Sequence, residues 1–196
     1  MLQYHRIVNS YQHSCTYILY QEQTEHVWLV DCGDYHEVKA WLTEHQKEIA
    51  GVFLTHGHDD HIYGLRPLIE EFPETPIYLS ANGGIRCLHD IRLNLTKYTE
   101  RSFVIDSDNF VELNDGEKVE LFDGVDVTCI QTDGHTDDSM VYKVENYLLT
   151  GDAYIPPLQV VTKLPGANKE RAAESLERIK NIIEEYHLTV LAGHSI

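Results

Sequence analysis

The chain has little that would staple it, anchor it or draw it to a polyanion. Its four cysteines, Cys15, Cys32, Cys87 and Cys129, are scattered through 196 residues without a CxxC pair. That excludes a zinc knuckle and a dithiol redox motif and leaves buried free thiols as the expectation. Lys and Arg number 15 against 32 Asp and Glu, a formal net charge of -17 at pH 7. An acidic chain with no cluster of basic residues repels phosphate backbones, so nucleic acid is not expected as a partner. No apolar run approaches the ~18 residues of a membrane span, and the N-terminal MLQYHRIVNSYQHSC has no basic segment followed by an apolar one. Neither a membrane nor secretion is expected, and the expected location is the cytoplasm. A nucleophile elbow and a Ser-x-x-Lys motif are also missing.

What is present suits one globular domain over residues 1–196. Hydrophobic residues make up 42% and charged residues 24%, and a chain of this length can bury roughly 70% of its unfolded surface without disulfides. CTYILY and HVWLV read as strands joined by a polar turn, and DCGD as a turn. HEVKAWLTEHQKEI, residues 36–49, places Val38, Trp41, Leu42 and Ile49 at helical spacing, and the short apolar strand GVFL follows. IYGLRPLIEEF reads as a helix stopped by Pro73, PIYLS as a strand and ANGGIRCL as the start of a helix or turn. Residues 89–110 carry no clear pattern. From Asp115 onward come the short strands KVELF, VDVTCIQT, SMVYKV and NYLLT, then a helix, ANKERAAESLERIKNIIEEY, and a last strand, LTVLAG, expected to lie inside its sheet. The pattern is α/β.

Directly after GVFL stands THGHDDH, residues 55–61, with three histidines and two aspartates in seven positions. Residues two apart share a strand face, so His56 and His58 can enter one pocket. Asp60 and His61 are adjacent and cannot share a target in regular structure. Gly57 and a turn into a helix near Asp60 would divide the four side chains into two neighbouring groups, which suggests two metal ions. Neutral imidazoles with a hard carboxylate oxygen are the mixture of a catalytic zinc site. The heptapeptide leaves both groups incomplete. Further candidates stand at the ends of later strands: His135 in DGHT, Asp152 in TGDA and His194 in AGH.

THGHDDH, DGHT, TGDA and AGH, in that order, resemble the metallo-β-lactamase fold superfamily and most of all its glyoxalase II branch. The likeness runs from SCTYILY and VWLVDCGD, similar to the family's opening strands and Asp-x-Gly turn, almost to the last residue. It implies a four-layer αβ/βα sandwich with a dinuclear site along one edge. By matching position, it implies that His56, His58 and His135 hold a first metal and Asp60, His61 and His194 a second. Asp152 would bridge them, and Asp31 would orient ligands from behind. Asp31 read alone is a turn residue that could cap the following helix.

The resemblance implies two divalent ions, zinc first, with iron or manganese also suited to these ligands. Two ions about 3.5 to 4 Å apart generate hydroxide at neutral pH, which accounts for the missing nucleophile motif. The implied reaction is attack of a metal-bridging hydroxide on a carbonyl ester, thioester or lactone of a small-molecule substrate, with Asp60 orienting the hydroxide. Glyoxalase II proper carries a helical segment after its last ligand that helps to bind glutathione, whereas two residues follow His194 here. Lys163 is the one basic residue between Asp152 and Pro165 and a candidate for an anionic substrate group. Lactonase relatives polarise a carbonyl with a tyrosine soon after the bridging Asp, which makes Tyr154 a second candidate. The alternative from another class is a mononuclear iron oxygenase similar to persulfide dioxygenase, its iron held by His56, His135 and Asp152.

Overall fold

The computed structural model describes residues 1–195. Gln3–Val8 (β1), Cys15–Tyr20 (β2) and His26–Val30 (β3) run antiparallel, and the helix Tyr35–His45 (α1) returns the chain so that Glu48–Phe53 (β4) lies parallel to β3. Two short helices, Asp59–Ile62 (α2) and Leu65–Glu71 (α3), lead to Ile77–Ser80 (β5). The helix Gly84–His89 (α4) and a largely irregular stretch precede Phe110–Leu113 (β6). These strands form one sheet in the order β1-β2-β3-β4-β5-β6. Lys118–Phe122 (β7), Val125–Gln131 (β8), Met140–Val144 (β9) and Tyr147–Gly151 (β10) then form an antiparallel meander. The helix Lys169–Tyr186 (α5) crosses back so that Thr189–Ala192 (β11) pairs parallel with β10, giving a second sheet ordered β11-β10-β9-β8-β7.

The central strands carry apolar residues on both faces because both faces are covered. Tyr17, Leu19, Trp28, Val30 and Phe53 of the first sheet meet Cys129, Met140, Tyr142, Val144 and Leu149 of the second. The alternate residues Ile18, Leu29 and Val52 face outward onto Val38, Trp41 and Leu42 of α1 and Leu65 and Leu68 of α3. On the far side, Ile130, Val141 and Leu148 pack under Ile179, Ile182 and Ile183 of α5. The layers are helix, sheet, sheet, helix, the expected four-layer sandwich. Three side chains reach across the central layer to backbone carbonyls: Trp28 Nε1 donates to Leu121 (2.8 Å), Tyr142 Oη to Leu54 (2.6 Å) and Tyr17 Oη to Ala192 (2.8 Å). Each joins the two sheets while satisfying a polar atom that burial would otherwise leave unpaired.

The structure corrects two local expectations and adds a strand. The first helix stops at His45, because Gln46 adopts the left-handed region (φ 53°) and its N–H closes onto Leu42 and Thr43; Ile49 belongs to β4. The strand β1, which no pattern announced, forms an edge whose residues are mostly exposed. The last strand, β11, is an edge strand rather than an inner one, with β10 as its neighbour within the sheet. All four cysteines are free and buried, as expected. Among the described residues no helix is long and apolar enough to cross a membrane.

Phe53 is fully buried between the rings of Trp28, Tyr78 and Tyr142, with centroids 4.7 to 5.5 Å away. Phe53→Ala is expected to lower the unfolding free energy by about 3–5 kcal/mol through lost burial and the cavity left behind. Urea melts of the two proteins measure this, and a loss below about 1 kcal/mol would mean that the sheets close over the gap.

Candidate functional site

The carboxyl ends of the parallel pairs β3–β4 and β10–β11 come to one edge of the sandwich, together with the turn between β8 and β9. Asp31 follows β3, the segment 55–61 follows β4, His135 lies in the β8–β9 turn, Asp152 follows β10 and His194 follows β11. Asp31 takes a left-handed backbone (φ 59°), a conformation a short polar side chain tolerates. This turns its carboxylate back onto the loop beyond β4. Its Oδ1 accepts from the Thr55 N–H (2.8 Å), and its Oδ2 accepts from Thr55 Oγ1 (2.7 Å) and from His61 Nδ1 (2.8 Å). The helix-capping role considered for Asp31 is overturned, since Asp34 is the N-cap residue of α1.

These bonds fix the ring tautomers. Thr55 Oγ1 spends its proton on Asp31 and so accepts from His56 Nδ1 (3.1 Å). His135 Nδ1 donates to the Val161 carbonyl (2.9 Å) and His194 Nδ1 to the Gln12 carbonyl (3.0 Å). With Nδ1 of His56, His61, His135 and His194 occupied as a donor, each neutral ring turns an Nε2 lone pair inward. His58 is reversed. Its Nδ1 lies 3.1 Å from both His56 Nε2 and His135 Nε2, and its buried Nε2 has no hydrogen-bond partner.

The carboxylates enter from the other side. Asp152 Oδ1 is 3.4 Å from His61 Nε2, while its Oδ2 is 3.3 Å from His194 Nε2 and 3.6 Å from His135 Nε2. Asp60 Oδ2 lies 3.3 Å from His194 Nε2 and 3.6 Å from His61 Nε2. Asp152 thus stands between two groups, His56 with His58 and His135, and Asp60 with His61 and His194. Gly193 makes the approach of these strand ends feasible, since a Cβ there would fall 2.4 Å from Asp152 Oδ1. On the other flank a Cβ on Gly57 would meet Cys87 Sγ at 2.8 Å.

Burial holds His56, His58 and His135 below the usual imidazole range, helped by mutual repulsion of the neighbouring rings, so they stay neutral with lone pairs available. Burial alone would do the same to His61, but Asp60, Asp152 and Asp31 outweigh it and lift that ring well above its ordinary value. His194 is likewise lifted against its burial, by Asp152. Burial would raise the Asp152 carboxyl, yet His61 and the hydrogen bond with His194 hold it well below the usual range.

This donor set fits metal ions. Three ring nitrogens converge with at most one proton between neighbouring pairs, a buried Asp152 Oδ1 has no hydrogen-bond partner, and carboxylates on the far side draw positive charge onto whatever lies between. A cation satisfies all of these demands together. Thr55, Gln12 and Val161 were not anticipated. Thr55 stood inside the quoted motif, while Gln12 and Val161 act through backbone carbonyls, which any residue offers.

Two anticipated residues lie elsewhere. The half-buried Tyr154 side chain packs against the apolar cluster beneath α5, alongside Ile182 and Ile183, and makes no side-chain hydrogen bond with the converging donors. Lys163 is exposed on the segment that passes His135, two residues beyond Val161, and makes no hydrogen bond or ion pair with the converging side chains.

The chain matches the family model described as the metallo-beta-lactamase superfamily over residues 10–194. A hydroxyacylglutathione hydrolase from Pseudoalteromonas translucida is 24% identical over 147 residues, 75% of this chain and 49% of that protein. The probable polyketide biosynthesis zinc-dependent hydrolase PksB of Bacillus subtilis is 26% identical over 159 residues, 81% of this chain and 62% of that one. The chain therefore spans about half to three-fifths of the length of these curated relatives. Among solved structures, the BLEG-1 B3 metallo-beta-lactamase shares the fold with a TM-score of 0.85 at 24% identity, covering 99% of this chain and 92% of that one. The family match opens in the β1–β2 loop that holds His194 and closes on His194 itself, so it encloses every converging donor, and the chain belongs to the metallo-β-lactamase superfamily.

Proposed function

We propose that the protein is a dinuclear metal-dependent hydrolase of the glyoxalase II-like kind that cleaves a carboxylic ester, thioester or lactone. The observation that carries the reading is the convergence of seven donors in two groups that share Asp152. His56 and His135 through Nε2 and His58 through Nδ1 would hold one ion, Asp60, His61 and His194 would hold the other, and Asp152, within reach of both groups, would serve each. Imidazole and carboxylate ligands suit zinc first, with iron and manganese compatible. Bound there, two divalent ions polarise a carbonyl oxygen and lower the pKa of water toward neutrality.

The chain's own residues supply orientation. Asp31 and Thr55 keep His61 and His56 in the ligating tautomer, and the Gln12 and Val161 carbonyls do so for His194 and His135. Asp60 accepts a hydrogen bond from the attacking water and aims its lone pair. Water adds to the carbonyl carbon, the C–O or C–S bond breaks, and an acid leaves with an alcohol or thiol. The names of the two curated relatives, both hydrolases, support this class. An oxygenase with one iron on His56, His135 and Asp152 is the second reading, since such enzymes keep the same motifs; the hydrolase is preferred because both curated relatives are named as hydrolases.

A panel of activated esters, thioesters, lactones, phosphodiesters and β-lactams tests the reaction. Turnover of the first three classes is expected, and Asp152→Ala should abolish it by several orders of magnitude; turnover of phosphodiesters alone, or oxygen uptake on a persulfide, would overturn it. Asp31→Asn should weaken metal affinity by roughly 10–100-fold, as chelator competition reports, because His61 loses its anionic partner. His194→Ala should weaken the ion held with Asp60 and His61 and spare the one held by His56, His58 and His135. Equal weakening of both, or of neither, would break the division into two groups.

A further inference from the structure

A cavity of about 530 Å³ opens beside the donor cluster, lined by the aromatic residues Tyr11, Tyr63, Tyr98 and Phe103 and by Asp59, Thr99 and Glu100. It shares two walls with the cluster. The β1–β2 loop gives Tyr11 to the cavity and the Gln12 carbonyl to His194, and α2 gives Asp59 to the cavity and Asp60 to the cluster. Tyr11 Oη donates to Asp59 Oδ2 at 3.0 Å, and the Tyr11 and Tyr63 rings meet edge to face with centroids 5.9 Å apart. Tyr63 Oη is turned away onto Asp34 Oδ1. The Tyr11 and Tyr63 rings are therefore held by bonds at their rims, while Tyr98 is 69% exposed. Lys97 and Arg101 flank this segment in sequence without lining the cavity.

We propose that this aromatic, carboxylate-lined cavity binds an organic ammonium group, and that the substrate hydrolysed at the neighbouring cluster carries one. Ring faces attract cations through their quadrupole, and the carboxylates add charge with no basic side chain in the lining to oppose them. An anionic group would meet Asp59 and Glu100 unpaired, within a chain of net charge -17. The volume is that of a small-molecule site and leaves room for the groups joining the ammonium to the scissile carbonyl. The substrate half of the proposal rests on the hydrolase reading, while the ammonium site does not.

Binding is measured first, by calorimetry with choline and with its uncharged carbon isostere 3,3-dimethylbutan-1-ol. Choline should bind at least about tenfold more tightly, and Tyr98→Ala, at an exposed position, should weaken it roughly threefold to tenfold, the range for a partly solvated ring. Glu100→Gln should weaken choline and leave the isostere alone. Equal binding of choline and isostere, or no response to either substitution, overturns the site. Hydrolysis is then compared for acetylthiocholine and 3,3-dimethylbutyl thioacetate, where kcat/KM should favour the cation chiefly through KM and the preference should shrink in Tyr98→Ala. Choline selectivity with neither thioester turned over would uphold the cavity and overturn the substrate claim. Turnover of both at equal kcat/KM would uphold the hydrolase and overturn the cavity's role in it.

Discussion

The buried carboxylate of Asp31 ties the ends of β3 and β4 to the side chains they present. Three donors converge on it, the Thr55 amide, the Thr55 hydroxyl and His61 Nδ1, and hydrogen bonds to a charged acceptor contribute about 1.5–3 kcal/mol each. Without them the same carboxylate, 2% exposed, would be an unpaired charge under the site. The consequence extends beyond His61. Because Thr55 spends its proton on Asp31, its oxygen can only accept from His56, so one carboxylate sets the direction of a ring in each of the two donor groups.

The remaining supports are backbone groups delivered by the fold. The loop after β2's neighbour β1 offers the Gln12 carbonyl to His194, while Cys15 N–H bonds to Gly193 and Gly193 N–H bonds to Gly151 (2.7 and 2.9 Å), stitching the first sheet to the ends of β10 and β11. An edge strand of four residues thus holds a ligand in place because a loop from the other sheet completes its pairing, including an isolated bridge between Ser14 and His194. The cross-sheet bonds of Trp28, Tyr17 and Tyr142 keep the two sheets in fixed relation, which the site needs since its donors come from both.

The parts of this that the sequence spells are those in which side-chain type carries the function. HxHxDH can be read because imidazoles and carboxylates at a strand end have few other reasons to cluster, whereas the full set with DGHT, TGDA and AGH, and the four-layer sandwich, are implied by the resemblance those ordered motifs carry; the residue pattern alone reaches only α/β. What escaped reading acts through the backbone or through partners distant in the chain. Gln12 and Val161 contribute carbonyls, so no residue type marks them. Tyr154 follows the Asp152 turn closely enough to suggest a role at the site, but its ring packs under α5. Ile49 continues a helical period that Gln46 interrupts by turning left-handed, and β1 shows no alternation because it is an exposed edge.

The central claim is that the seven donors form one centre for two metal ions, shared through Asp152. Elemental analysis of protein purified without metal supplementation, paired with re-addition of zinc to chelator-stripped protein by calorimetry, reads it directly. Close to two equivalents per chain, zinc foremost, with two binding events of which Asp152→Ala weakens both, is the predicted result. One equivalent of iron, or a single zinc event unaffected by loss of Asp152, would contradict it.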